Sequence, residues 1–582
     1  MATVKLLDFW ASWCIDPKTE VLLSNGFSLQ AQSLLNGSEV VSTSGGKRST
    51  GIVEYSKVVL DAGRCRLVET VSGRSIKVTD EHQFLTPFGW KAAEMLQKRD
   101  KIAILPVEES VKFRAKNKMI ISEEDIKKAT SDRMKVNVYI DELKRLSLLP
   151  LFMNNPKILI LARLMGALFS DGNLYEGKNN NYREISYALG QIEDIQEVTR
   201  DLNSLGFGKV HVSKRESQGE ILGRHFINRG YTIKCLSTSL WLLFKALGGP
   251  VGDKTDNAYL LPTWLMKAPQ AVKKEFMAAF LGGDGPKVTI HLQQRKYKKP
   301  YNHLLINDLE FHKKSALVEN GIKLAKQLKR LMEGFGIKVR KIFSEEENYL
   351  RKDGTRSAVI HICSAKDFLT GFNLSQKVGY RYSRQKHISA MYVGEFLREI
   401  IDLRKNWHNL YKQVKNLADK GLGYRRVSKE LGIKPLLAYQ WIKGRDYPTT
   451  PQHHLKFPTW LKEAKSGLDD GFVWTKVKDV KSIYLPQVSR ITVEHTHNFI
   501  ANGFVAHNCG PCRTMNPVIE EIEKELEGKI EIIKINVDEK QEEAAKYGVM
   551  SIPTYIVLKD DKEVGRKIGF TSKEELLKLL NV

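Results

Sequence analysis

The chain has 582 residues, 42% hydrophobic and 27% charged, with six cysteines and a formal net charge of +25. That length exceeds a single domain several-fold, six scattered cysteines are too few for a disulfide framework, and no run of 18 apolar residues is present to span a bilayer. The charge is uneven: residues 14–508 hold 79 Lys+Arg against 51 Asp+Glu, whereas residues 1–13 with 509–582 hold 13 against 16. The centre therefore suits a polyanion such as nucleic acid and the two ends do not. The start lacks a basic segment followed by an apolar run, so no secretory signal, no membrane association and a cytoplasmic location are expected.

In chain order, residues 4–10 read as an apolar strand. Residues 21–23, 38–43, 52–60, 66–71 and 75–78 read as strands broken by Gly, Asn and Ser. "LMGALFSDG" at 164–172 and "MAAFLGGDG" at 277–285 are apolar helices with small residues that end in Asp-Gly. Each is followed by a helix, a glycine and a basic strand, at 193–212 and 316–342, an internal repeat. Residues 423–445 read as two short helices around Gly432, and 472–508 as terminal strands. The last segment gives a helix with Val518, Ile522 and Leu526 on one face, a strand at 530–537 and a short helix at 539–547. A hairpin around "KDDKE" and a helix at 572–580 close it. Cys65, Cys235 and Cys363 have no metal-like spacing and are expected in cores, which leaves Cys14, Cys509 and Cys512.

Residues 1–13 joined to 509–582 make 87 residues in the order β-α-β-α-β-β-α. With "DFWASW", "CGPC", "SIPTY" and Gly569 in that order, they resemble thioredoxins. The resemblance implies that Cys509, at a helix N-terminus that favours thiolate, attacks disulfides and that Cys512 resolves the mixed disulfide. It also implies support from Pro511, a cis-proline at Pro553 and a buried proton-transfer acid at Asp8. Disulfide-containing proteins and a thioredoxin-type reductase would be the partners, with no cofactor. A zinc half-site is the competing reading of a lone CxxC, but no second pair exists.

The interruption begins at Cys14 and ends at His507-Asn508, with Cys509 next. "CIDPKTEVLL", "VTDEHQFL" at 78–85 and "ITVEHTHNFIANGFVAHN" at 491–508 resemble the motifs of inteins. Taken singly, Thr79 is an ordinary strand residue, His82 a strand or surface histidine, and Asn-Cys a turn. Together they form a set whose roles must meet in space. The resemblance implies an all-β horseshoe (Hint-type) fold that brings residues 14 and 508 together. Cys14 converts its upstream peptide to a thioester, and Thr79 and His82 assist the departing nitrogen. Cys509 accepts the acyl group, and Asn508 cyclises with help from His507 and His497. Many inteins carry Asp seven residues before that last histidine; here the place holds Arg490, so coordination of the two cleavages is expected to differ.

The paired Asp-Gly helices resemble LAGLIDADG homing endonucleases. That implies an inserted α/β domain whose Asp171 and Asp284 hold a divalent metal, Mg2+ being expected, between scissile phosphates. Lys254 and Lys386 match the family's active-site lysines. Residues 423–445 resemble a helix-turn-helix, with Arg425, Arg426 and Lys429 on phosphate and Tyr439, Gln440, Trp441 and Lys443 in the major groove of double-stranded DNA; a packing hairpin is the competing reading. The expected layout is 1–13 host, 14–110 splicing domain, 150–390 endonuclease, 400–450 helix-turn-helix-like segment, 471–508 splicing domain and 509–582 host. The whole is a multidomain monomer that releases a 495-residue insert and an 87-residue thioredoxin. The alternative is a non-splicing or cleavage-only fusion whose insert binds DNA without cutting it.

Overall fold

A computed structural model describes residues 4–10, 14–130, 135–177, 182–221, 224–294, 300–351, 353–445, 456–507, 510–536, 540–549, 553–568 and 571–580. The chain divides into two compact units, Met1–Leu105 with Lys462–Val582, and Pro106–Leu461.

The first unit holds two sheets. The larger interleaves strands from both flanks of the interruption, in the order Ser28–Gln30, Glu20–Leu22, Asn498–Ala501, Phe504–His507, Lys101–Ile104, Val473–Val493, Cys14–Ile15, Ser75–Thr79, Lys47–Thr70, Glu39–Ser44. Gln83–Thr86 adds to Phe504–His507, and Gly89–Ala92 adds to Gln83–Thr86. Strand Lys47–Thr70 replaces the two strands expected at 52–60 and 66–71. It runs unbroken because it pairs antiparallel with Val473–Val493 from Val53↔Val493 to Thr70↔Val477. The register shifts between Leu485 and Gln487, where Pro486 has no N–H to give the ladder. Cys14–Ile15 and Ser75–Thr79 bridge these two strands on their other side, so the four pair in a ring. Closure leaves no open edge there.

The smaller sheet has the order Ile530–Asn536, Val4–Trp10, Thr554–Lys559, Lys562–Ile568. Val4–Trp10 is internal: it runs parallel to Ile530–Asn536 and antiparallel to Thr554–Lys559. Strand alternation sends Leu6 to one face and Leu7 to the other. Leu6, Tyr555 and Val557 pack with Met515, Ile519, Ile522 and Leu576 from the helices Gly510–Glu525 and Lys573–Leu580. Leu7, Ile535, Ile556 and Leu558 pack with Ala544 of helix Gln541–Lys546. The β-α-β-α-β-β-α order is the one expected.

The second unit repeats one path twice. Helix Lys157–Phe169 leads into a sheet ordered Gly172–Glu176, Arg183–Leu189, Arg224–Cys235, Val210–Ile221, crossed by helix Ile192–Leu205. Helix Gln270–Gly283 leads into the sheet Leu309–Lys314, Arg356–Ser364, Val339–Leu350, crossed by helix Val318–Gly334. Here the hairpin Thr289–Gln293/Tyr301–Leu305 stands apart from the sheet. The two leading helices touch: a Cβ on Gly166 would lie 2.1 Å from the Phe276 carbonyl oxygen, so only glycine allows that approach. Buried Arg163 ties the pair, donating to Glu275 at 2.7 Å and to Asp201 at 3.0 Å.

The 36-residue helix Arg384–Asp419 carries the short helices Tyr424–Leu431 and Pro435–Ile442, separated by Gly432 at φ 62°. Trp441 is 1% exposed and packs edge-on against Trp407 and Tyr411. This corrects its expected place among the DNA contacts: apolar spacing turns the indole into the three-helix core. Arg425, Arg426, Lys429 and Lys443 are exposed, and Tyr439 and Gln440 are half-buried. Cys65, Cys235 and Cys363 are buried as expected. Among the described residues, no helix is long and apolar enough to cross a membrane.

Candidate functional site

Cys14 opens a two-residue strand and is 1% exposed. Its N–H donates to Thr79 Oγ1 at 3.1 Å, and Ile15 pairs with Val78. On its other side Cys14 pairs with Arg490, the residue standing where an Asp is usual. The chain turns after Thr79: the His82 N–H donates to the Thr79 carbonyl at 3.2 Å, and the His82 carbonyl accepts from the Ala93 N–H at 2.9 Å. These bonds hold the Thr79 hydroxyl on the Cys14 nitrogen and the His82 backbone in the turn beside it.

His82 is fully buried beside Phe84, and neither ring nitrogen has a hydrogen-bond partner among the described residues. Burial, with the charge of His507 adding to it, pushes its pKa down to about 3. The ring is therefore neutral at ordinary pH, with one N–H to donate and one nitrogen to accept. His507 ends strand Phe504–His507, and Trp90 meets its ring edge-on at 4.4 Å between centroids. The strand's Ala506 pairs with Phe84, which places this strand beside the element that follows the Thr79–His82 turn.

His507 also pairs with Asn498, the residue after His497. His497 has φ 51°, and its buried Nδ1 has no partner among the described residues. The Asn498 amide locks this corner: its Nδ2 donates to the Thr43 carbonyl at 2.9 Å, and its Oδ1 accepts the Thr43 N–H at 2.8 Å. Asn508 and Cys509 lie outside the described residues. Cys14, Thr79, His82, His497 and His507 are thus gathered from both flanks, 415 to 493 residues apart in sequence.

In the smaller sheet, Asp8 is 3% exposed, and burial raises its carboxyl pKa to about 6 against the opposing charge of Lys534. Pro553 is buried directly before strand Thr554–Lys559. The side chains of Pro511 and Cys512, in helix Gly510–Glu525, fall outside the described residues.

In the second unit, Asp171 and Asp284 follow the two touching helices. A Cβ on Gly283 would lie 3.0 Å from Asp171 Oδ2, so one carboxylate reaches the other helix end. Burial, then the charge of Asp171, raises the Asp284 pKa to about 7; burial also raises that of Asp171. Lys254 donates to the carbonyls of Leu168, Ser170 and Gly172, and Lys386 donates to those of Leu281, Gly282 and Gly283. Each lysine thus satisfies helix-end carbonyls while sitting near both carboxylates. A cavity of about 610 Å³ opens here, lined by Asp171, Lys386, Gln191, Asp194 and Arg229 among others.

The paired carboxylates are hard oxygen donors of the kind Mg2+ takes. Among the described residues, no group of three or more His, Cys, Asp or Glu side chains could hold a metal alone. An ion here needs water or phosphate oxygens to complete its shell, as Mg2+ usually does.

Sequence reading missed Asn498, Trp90 and Asp80 around the first centre. Nothing in a single sequence marks them, because their partners Thr43, His507 and Arg66 are set by sheet register.

Residues 52–508 match the family model of the intein splicing domain, and residues 489–582 match that of thioredoxin. The DNA-directed RNA polymerase subunit Rpo1N of Methanocaldococcus jannaschii is 31% identical over 520 residues, 86% of this chain and 34% of that one. The tRNA-splicing ligase RtcB of the same organism is 27% identical over 547 residues, 90% of this chain and 54% of that one. The chain thus spans about a third to a half of these relatives' lengths. Thioredoxin of Bacillus subtilis is 48% identical over 90 residues, 16% of this chain and 86% of that one. A solved DnaB intein from Synechocystis is 26% identical over 16% of this chain and 70% of its own, at a TM-score of 0.15. The chain belongs to the intein splicing domain family. It joins that splicing domain to a thioredoxin domain.

Proposed function

We propose that residues 14–508 excise themselves and join residues 1–13 to 509–582. Cys14 Sγ attacks the Trp13 carbonyl, and the Cys14 nitrogen leaves as an amine with its geometry held by Thr79 and its proton supplied through His82. Cys509 Sγ takes the acyl group from Cys14. The Asn508 side-chain amide closes on its own carbonyl, polarised by His507 and His497, and frees the insert. An S-to-N shift leaves a Trp13–Cys509 peptide and restores "WASWCGPC". The product is a thioredoxin using Cys509 and Cys512, with Asp8, Pro511 and Pro553 in support, on protein disulfides and a reductase.

The observation that carries this reading is the meeting of Cys14, Thr79 and His82 with His507 in one interleaved sheet. Strand Val4–Trp10, internal to the sheet of residues 530–568, supports a host split around the insert. Mass analysis of the expressed chain tests it: an 87-residue and a 495-residue product are expected, and a persistent 582-residue species refutes it. Arg490 beside Cys14 favours one competing outcome, cleavage at the two ends without ligation. That would leave 13-residue and 74-residue fragments.

For the second unit, the repeated path and the Asp171–Asp284 pair support a LAGLIDADG-type DNA endonuclease. Both carboxylates would hold Mg2+, whose charge would offset that of the scissile phosphates. Lys254 and Lys386 fix the helix ends, and the exposed Arg425, Arg426, Lys429 and Lys443, with Tyr439 and Gln440, add a helix-turn-helix contact to double-stranded DNA. Metal-dependent cutting of the uninterrupted host gene should vanish in Asp171→Asn; cutting that persists refutes the metal assignment. A cytoplasmic monomer, where thiols stay reduced, completes the proposal.

A further inference from the structure

Asp80 lies inside the turn that carries Thr79 and His82, and the chemistry above does not use it. It is 5% exposed. Arg66, on the long strand Lys47–Thr70, grips it as a fork: Nε to Oδ1 at 2.8 Å and Nη2 to Oδ2 at 3.3 Å. Arg64 stands 3.5 Å from Oδ2. The Asp80 carbonyl accepts the Glu94 N–H at 2.9 Å. Arg66 pairs with Val78 and its neighbour Cys65 with Thr79, so the fork reaches the turn from the strand alongside. A two-point Arg bond to a buried carboxylate fixes direction as well as distance, unlike exposed single-point pairs.

The fork sits in the same four-residue turn as the two groups assigned to the first step. Thr79 Oγ1 bonds the Cys14 nitrogen, and the His82 ring waits unpartnered among the described residues three positions on. The groups for the other cleavage belong to a different element, the hairpin Asn498–Ala501/Phe504–His507, where Asn498, next to His497, is anchored to Thr43 rather than to the fork.

We infer that Arg66 and Asp80 are a positioning pair for the first acyl transfer, holding Thr79 and His82 on the Trp13–Cys14 peptide. This rests on the splicing reading. In that step the Cys14 sulfur bonds to the Trp13 carbonyl carbon, the C–N bond breaks and the nitrogen gains a proton. An added small thiol then displaces Cys14 and releases residues 1–13 as a thioester.

The test uses the full chain with Asn508→Ala and Cys509→Ala, and follows thiol-dependent release of residues 1–13. Arg66→Met and Asp80→Asn should each slow release about tenfold, the scale of one lost charge-assisted hydrogen bond. Arg66→Lys should recover part of the rate. In a Cys14→Ala chain, the same substitutions should leave cleavage after Asn508 within about twofold of its parent, as a local role predicts. Equal slowing of both cleavages makes the pair merely structural and overturns the inference, as does unchanged release in both variants. If the parent shows no thiol-dependent release at all, the splicing reading itself falls.

Discussion

Protonating His82 should unfasten the splicing centre. Its pKa is about 3 folded against 6.5 for a free imidazole, so the unfolded chain takes up a proton that the folded chain refuses. Stability is then intact above pH 6.5 and falls as pH drops from about 6.5 toward 3. At pH 5 protonation shifts the equilibrium toward the unfolded form about thirtyfold, a loss of about 2 kcal/mol; below pH 3 the loss approaches about 5 kcal/mol, both as orders of magnitude. The readout is native-state hydrogen exchange of residues 75–92 in a splicing-blocked Cys14→Ala, Asn508→Ala chain, corrected for intrinsic rates. Protection should drop about thirtyfold between pH 7.5 and 5, and His82→Leu should remove most of that drop. Equal loss of protection in His82→Leu and its parent would refute the assignment of the acid sensitivity to this ring.

Asp8 should behave oppositely. Its carboxyl pKa is raised to about 6 from 3.8, so folding loses stability as pH rises through that window. Asp8→Asn should stabilise the released 87-residue product by up to about 3 kcal/mol at pH 7.5 and hardly at all at pH 3.5, measured by denaturant unfolding. Gly166→Ala puts a methyl 2.1 Å from the Phe276 carbonyl oxygen. It should lower the stability of the Pro106–Leu461 unit by at least about 1–3 kcal/mol in a thermal melt of the Cys14→Ala chain; an unchanged melt would contradict the helix contact. Trp441→Ala should cost the three-helix segment about 3–5 kcal/mol, seen as faster exchange across residues 407–445. Lys443→Ala should leave that exchange unchanged and, on the proposed function, weaken binding to double-stranded DNA with a shallower salt dependence.

Local pattern carried much of this protein. Apolar spacing and turn residues set out most helices and the β-α-β-α-β-β-α order, because those depend on residues a few positions apart. Cys14, Thr79, His82, His497 and His507 could be singled out because the proposed splicing chemistry needs those side-chain types. What sequence could not show depends on partners hundreds of residues away. Two expected strands fused into Lys47–Thr70 only because Val473–Val493 supplies a matching ladder. Trp441 looked like a groove-facing residue until the long helix Arg384–Asp419 claimed its ring for a core. The neutrality of His82 comes from burial, which no local pattern contains. By itself, then, the sequence determined which chemistries the chain can host, since side-chain type and near-neighbour spacing are written in it. The tertiary structure alone decided register, burial and the Arg66–Asp80 fork, because pairing between distant strands sets which groups lose water and which lie within hydrogen-bond reach.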